Sequence, residues 1–340
     1  MNKITALFES AVLDDEKLYF FCRDINLLGM FNLKTKESSI IGSIPDEDIL
    51  EKRLCGDIQK WNNYLILIPL RCKKIWIYDI STYKWEKIDI SFEVNEYQYF
   101  DSKIVGNMLY LIGYWTNHIA TLNMITREIK VICRLEDEYK FGYSSVIYNE
   151  HLYIAACNQP QIVKISLKTN EIEKIDIKSA SEGLYGVDYS DGIFWIITKK
   201  SKLIRIKIDE KGKYNEKIIC KSPKDAYPRG ICTNGKYVIC ASTQENSSII
   251  IRDNQIAYES DEIWFIRRQK NVIIYATKGG KIYIYSNKNY NIENNVIFID
   301  KKEKDKFINS KLRYKKNMFV YETSLIELNN FIDVLMRKDI

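Results

Sequence analysis

Six aromatic side chains and three arginines are the residues of this 340-residue chain best suited to holding a ligand. They lie in or beside seven short polar stretches: EKRLCG at 51–56, NEYQYFD at 95–101, DEYKFG at 137–142, SEGLYG at 181–186, KDAYPRG at 224–230, SDEIWF at 260–265 and KDKFIN at 304–309. In most of them an acidic residue precedes an aromatic one. The candidate binding set is Arg53, Tyr97, Tyr99, Tyr139, Tyr185, Tyr227, Arg229, Trp264 and Arg267. Rings beside a few charges suit a sugar, a peptide or a partner's side chain, because Tyr, Trp and Arg dominate recognition energetics. The competing reading packs the same rings in the interior and uses the glycines only to turn the chain.

Chemistry in the stricter sense has thinner support. Asp57, Asp101 and Asp188 fall near the starts of strands, and Arg229, Arg267 and Arg313 occupy comparable places further along. Facing one another, such groups could do acid–base work on a small polar substrate. They could equally be ordinary ion pairs. The two histidines, His118 and His151, lack Cys or carboxylate partners at ligand spacing, so no metal is expected. No G-x-S-x-G nucleophile elbow occurs, and GYSS at 142–145 lies where a strand begins. TKGGK at 277–281 reads as a hairpin turn, since no helix follows it to cradle a phosphate. Catalytic residues, metal and cofactor are therefore all expected to be none.

The elements that would position these residues repeat. KIWIYDISTYKWEKIDI at 74–90 is an alternating strand, a polar turn and a second short strand; looser copies stand at 30–41, 121–132 and 164–175, and EKIDI returns at 173–177. A second marker, a polar turn followed by an aromatic-aliphatic run, aligns Leu18, Leu65, Leu109, Leu152, Phe194, Tyr237, Val272 and Met318, 35 to 47 residues apart. Each unit reads as a first strand, an Asn/Gly/Asp turn that tolerates positive φ, and three further strands. Four antiparallel strands every 40–50 residues or so is the grammar of a propeller blade. Complete units are expected at 6–50, 53–90, 99–134, 142–178, 185–220, 228–260 and 263–300. The eighth marker predicts a hairpin from Ser310, and after Ser324 a helix with Leu328, Phe331, Ile332, Leu335 and Met336 on one face. The alternative to this closing hairpin and helix is an incomplete eighth blade.

Composition agrees with such a fold. The 24 Tyr favour half-buried strands, and the net charge of +6 is a mild surplus spread along the chain rather than a basic face for nucleic acid. KKEKDK at 301–306 mixes signs and reads as a solvated loop. The eight cysteines form no C-x-x-C pair, and several lie in apolar runs where a thiol acts as a small hydrophobe. No apolar run approaches a membrane span, and acidic residues interrupt the first twenty or so. A reduced, cytoplasmic protein is expected.

The unit at 74–90 resembles the kelch-type propeller. Tyr78–Asp79, then Ser81 and Thr82, then Trp85 match its aromatic-Asp pair, polar turn and fourth-strand Trp. The glycine pair that kelch repeats carry after the second strand is absent; Pro69–Leu70, Gly113–Tyr114, Ala156–Cys157 and Thr198–Lys199 stand there. The resemblance implies a ring of blades around a channel, with the polar stretches at one mouth. Copper-oxidase chemistry on such a propeller would require a His pair and a Tyr–Cys crosslink that nothing here brings together.

The sequence thus predicts an all-β, seven-bladed propeller of four-stranded antiparallel blades, eight being possible, with a short C-terminal helix. The propeller would span 1–308, and a hairpin and amphipathic helix 309–340. The expected function is a non-catalytic module, monomeric, holding a protein or carbohydrate partner at the channel mouth, without nucleic acid or membrane. The alternative is a lyase, epimerase or mutarotase using channel Arg and Asp/Glu residues.

Overall fold

A computed structural model describes residues 3–92, 98–114, 116–137, 139–208, 214–223, 226–286 and 291–318. The chain is an all-β propeller followed by one short helix. Five separate four-stranded antiparallel sheets, and one eight-stranded sheet made of two such units, account for 28 strands between residues 8 and 296. The two units of the larger sheet meet through a single parallel bridge, Ser144 to Gly186. Within each unit the strands pair strictly in sequence order. The first strands are Phe8–Asp14, Cys55–Trp61, Tyr99–Val105, Phe141–Tyr148, Leu184–Ser190, Pro228–Thr233 and Ile263–Gln269. Each contacts the first strand of the units on either side, and Phe8–Asp14 contacts Ile263–Gln269, so the ring closes.

Burial explains the sequence pattern. The second strands read as continuous apolar runs because both faces of every sheet are covered by neighbouring sheets: YLILIP at Tyr64–Pro69 is buried from its second residue on. The fourth strands lie at the rim, so EKIDI exposes Glu86, Lys87 and Asp89 and buries only Ile88. The core sits between units. Val12, Tyr19 and Phe21 of the first pack with Leu65, Leu67 and Trp76 of the second, and the same sharing recurs around the ring.

The repeated motif has a local cause. After the third strand, Asn32, Asp79 and Asn123 each turn the chain with a side-chain oxygen. Asp79 Oδ1 accepts from Ser81 N at 2.8 Å and Thr82 N at 3.2 Å, and Asn123 Oδ1 does the same for Ile125 N and Thr126 N. These hydrogen bonds, with one from the Ser81 hydroxyl, pull the Asp79 carboxyl down to a pKa of about 2. The hairpin turns between first and second strands likewise contain left-handed residues, among them Asp15, Asn62, Gly106, Asp191 and Gly235.

One irregularity recurs in every first strand and decides what faces the channel. The inner hairpin breaks register between Phe8 and Ser10, Cys55 and Asp57, Tyr99 and Asp101, Leu184 and Gly186, Pro228 and Gly230, and Ile263 and Phe265. In the fourth unit the break is wider, from Phe141 to Ser145. A bulge leaves one residue unpaired and re-aims its side chain.

Among the described residues, the four-stranded units after the first end close to the expected boundaries, whereas the last strand of the first ends at Gly42 rather than near 50. The C-terminal segment differs. Lys301–Met318 is an α-helix, α1, where a charged loop and a strand from Ser310 were expected. Asp300 Oδ1 caps it, accepting from Lys302 N at 2.8 Å and Glu303 N at 3.1 Å. The cap and a run of strong helix formers outweigh the weak hairpin signal around Lys316–Asn317. The chain divides at this point into two compact units, Lys3–Ile299 and a second that holds α1. The helix expected after Ser324 lies outside the described residues. Among those described, no helix is long and apolar enough to cross a membrane.

Candidate functional site

The first strands enclose a cavity of about 390 Å³. The bulged residues Glu9, Gly56, Phe100, Tyr143, Arg229 and Trp264 line one part of it, and Asp57, Asp101, Asp188 and the guanidinium groups of Arg267 and Arg268 line the next. Gly56 is obligatory, since a Cβ there would sit 2.0 Å from the Tyr99 carbonyl oxygen of the next unit.

At the mouth, three arginines surround one carboxylate. Glu9, only 3% exposed, lies 3.1 Å from Arg53, 3.6 Å from Arg23 and 3.9 Å from Arg229. All three guanidinium groups lie over rings, Arg53 at 5.6 Å from Phe100. Arg23 lies 3.8 Å over Trp264, while Arg229 is 5.4 Å from both Trp264 and Tyr143 and 5.8 Å from Phe100. The wall continues as Phe100, Tyr114, Tyr143 and Tyr185, with successive centroids 4.7–5.5 Å apart, and the Tyr114 and Tyr143 hydroxyls meet at 2.6 Å. Burial raises the Tyr143 phenol and pushes that of Tyr185 up to about 12, so both stay neutral donors.

One layer deeper, every carboxylate is occupied. Asp57 accepts from the Ser10 and Ser102 hydroxyls at 2.9 and 2.6 Å, from its own unit at Ile58 N and Gln59, and from Arg267 at 2.5 Å. Asp101 accepts from Ser145 N and Oγ and from Lys103. Asp188 accepts from Thr233 N and Tyr189 N and pairs with Arg268 at 3.0 Å. These bonds run from one unit to the next and latch the ring.

The predicted binding residues therefore scatter. Arg53, Arg229 and Trp264 come together at the mouth, with Tyr185 behind Tyr143. Tyr99 does not: it is fully buried among Ile66, Ile68 and Leu111, its hydroxyl 3.2 Å from His118 Nε2. Burial drives that imidazole down to about 4, so it is a neutral hydrogen-bond partner. Tyr139 is also interior, donating to Gln161 Oε1 at 2.6 Å. Tyr227 is 66% exposed and does not line the cavity. Arg267 lines the channel but is tied to Asp57 and to the Ala11 and Ile58 carbonyls, clamping three units together. Tyr97 lies outside the described residues, and Arg313 belongs to α1, not to a first strand. Glu9, Arg23, Phe100 and Tyr143 were not foreseen. Aligning all seven first strands on their second residue would have flagged Glu9 and Phe100 beside Arg229 and Trp264. Among the described residues no His, Cys, Asp and Glu group could hold a metal.

No protein-family model matches the sequence, and no curated protein resembles it in sequence. Among solved structures it is similar to virginiamycin B lyase from Staphylococcus aureus, with a TM-score of 0.66 at 15% identity, over 83% of this chain and 94% of that one. The β-propeller domain of Cps50 (Swd1) from Myceliophteria thermophila superposes at 0.61 and 11% identity, over 84% and 99%. A chain of the mitotic checkpoint complex superposes at 0.60 and 7%, over 84% and 90%. At such identities the likeness defines the class, a β-propeller, and it spans a lyase and a chain of a multi-protein complex alike.

Proposed function

We propose that the protein is a non-catalytic recognition module that seats a group of a protein or glycan partner in the channel mouth. The observation that carries this reading is the contrast in donor use along the channel. The deep carboxylates are all engaged by fixed donors, which leaves poor general bases, whereas the mouth offers guanidinium groups and ring faces in an open cavity. The kelch-type pattern around Tyr78 and Trp85, whose rings lie 4.9 Å apart, is compatible with a rigid frame for loops. The eight cysteines, seven of them buried, support a reducing compartment, and the form proposed is a cytoplasmic monomer.

The test is to denature purified protein, identify released compounds and peptides by mass spectrometry, and repeat with Arg229→Ala and Trp264→Ala. Enrichment on wild type, loss in both variants and an unchanged ligand mass after long incubation are expected. A second reading, a lyase or epimerase, has Asp188 in its favour. Burial pushes that carboxyl up to about 6 against the pull of Arg268, inside a range useful to a general base. A ligand converted by wild type and spared by Asp188→Asn would replace the first reading with the second.

A further inference from the structure

We infer that the group received at the mouth is a compact dianion, the shared chemistry of a phosphate monoester and a small dicarboxylate, held by Arg23 and Arg229 with its organic part against the aromatic wall. The inference rests on the recognition reading and names its ligand class.

Charge is the first ground. Three guanidinium groups lie within 3.9 Å of one carboxylate, and among the described residues neither Arg23 nor Arg229 makes a second ion pair. The arginines are also largely withdrawn from water, with side chains only 17%, 23% and 14% exposed for Arg23, Arg53 and Arg229. Withdrawing cations from water is costly unless their charge is met. Glu9 meets one. Burial lowers the Arg23 pKa against the opposing pull of Glu9 and Asp24, and Arg53 and Arg229 lower it further, which an added anion would offset.

Geometry is the second ground. Charge-assisted N–H···O bonds close to about 2.7–2.9 Å, and Arg forks bind carboxylate or phosphate through two parallel bonds. Glu9 makes no such fork: only Arg53 is within hydrogen-bond reach, and Glu9 Oε2 has no hydrogen bond at all. Arg23 and Arg229 stand at 3.6 and 3.9 Å, their other contacts being ring faces. Among the described residues, no side-chain hydrogen bond uses the N–H donors of Arg23 or Arg229.

Pre-organisation is the third. Arg23 N donates to Leu7 O at 2.9 Å, and Arg53 N donates to Arg23 O at 2.7 Å, so the two arginines are pinned side by side by backbone bonds. Arg53 holds a left-handed φ of 57°, which a non-glycine residue adopts at a cost. A cluster fixed in advance loses little further freedom on binding. Deeper in the channel Arg267 and Arg268 are committed to Asp57 and Asp188, so the anion is held at the mouth.

Four probes that share a benzene ring test this by titration calorimetry at pH 8 on the full chain: phenyl phosphate, phthalate, phenyl sulfate and phenyl β-glucoside. One or both dianions should bind one to one, roughly tenfold or more tighter than the monoanionic sulfate, with affinity falling as salt rises. Whichever of phenyl phosphate and phthalate binds tighter identifies the source chemistry. Arg229→Ala and Arg23→Ala should each weaken the dianion roughly tenfold, with Arg229→Lys recovering part of it and thermal melts verifying the fold. A glucoside that binds as tightly as phenyl phosphate, and is lost only with Trp264→Ala, would overturn the dianion while leaving the recognition reading standing. No binding by either dianion would also overturn it, and an empty ligand profile besides would remove the recognition reading itself.

Discussion

The mouth and the middle of the channel both set basic side chains against carboxylates on or beside the first strands, yet they do different work. In the middle the groups match: Asp57 with Arg267, Asp101 with Lys103, Asp188 with Arg268, each supplemented by hydroxyl or backbone donors of an adjacent unit. At the mouth three arginines share one glutamate at distances of 3.1 to 3.9 Å and lean on rings. A network whose charges are matched one to one holds a frame together; one with more cations than carboxylates has charge left for something else. What separates the two is a single residue step, since the bulge turns Glu9, Phe100, Arg229 and Trp264 to the mouth just before the strand resumes its register.

The largest effects are expected in the middle. Arg267→Ala removes a buried partner of Asp57 and a clamp across three units, and should cost about 3–5 kcal/mol in urea unfolding. If it proved neutral, the latch description of the middle would fail. Next comes pH. The folded Asp188 pKa, about 6, lies above its ordinary 3.8, so the native state binds the extra proton between those values. Stability should therefore fall as pH rises from about 4 to 6, by on the order of 3 kcal/mol, and stay level above. Asp188→Asn should flatten that part of the profile.

Mutations at the mouth should separate binding from stability. Arg229→Ala should change unfolding by no more than about 1 kcal/mol while weakening phenyl phosphate roughly tenfold. Equal damage to both would merge the two regions into one network. The smallest effect is expected at Tyr227, exposed and off the cavity: Tyr227→Ala should leave affinity unchanged and stability within about 0.5 kcal/mol.

The repeat grammar was legible because physical causes recur with it: the side-chain turns at Asn32, Asp79 and Asn123, the left-handed hairpin residues, and second strands buried on both faces. Helix α1 was not, because KKNMF imitates the hairpin marker while its cap, Asp300, ends a strand. The site was legible in part. Tyr99 and Trp264 occupy neighbouring positions of the same first-strand opening, but Tyr99 is the paired residue before the bulge and Trp264 is the bulged one. A shift of one residue exchanges core for channel, and spacing alone does not reveal it. The absent kelch glycine pair was itself informative. Cys22 and Gly113 pair equivalently with Phe8 and Tyr99, and the residues that follow them, Arg23 and Tyr114, send side chains into the mouth cluster where glycine would send none.

The central claim, that the guanidinium groups of the middle are committed to their own carboxylates while those of Arg23 and Arg229 are available at the mouth, is tested most directly by nuclear magnetic resonance of arginine Nε–Hε groups. Arginine-labelled protein would be titrated with phenyl phosphate and the signals assigned by single Arg→Lys variants. The account predicts that Arg23 and Arg229 shift and become protected from exchange as the ligand is added, while Arg267 and Arg268 are protected from the start and do not move. Movement of Arg267 and Arg268 with Arg23 and Arg229 unchanged would contradict it.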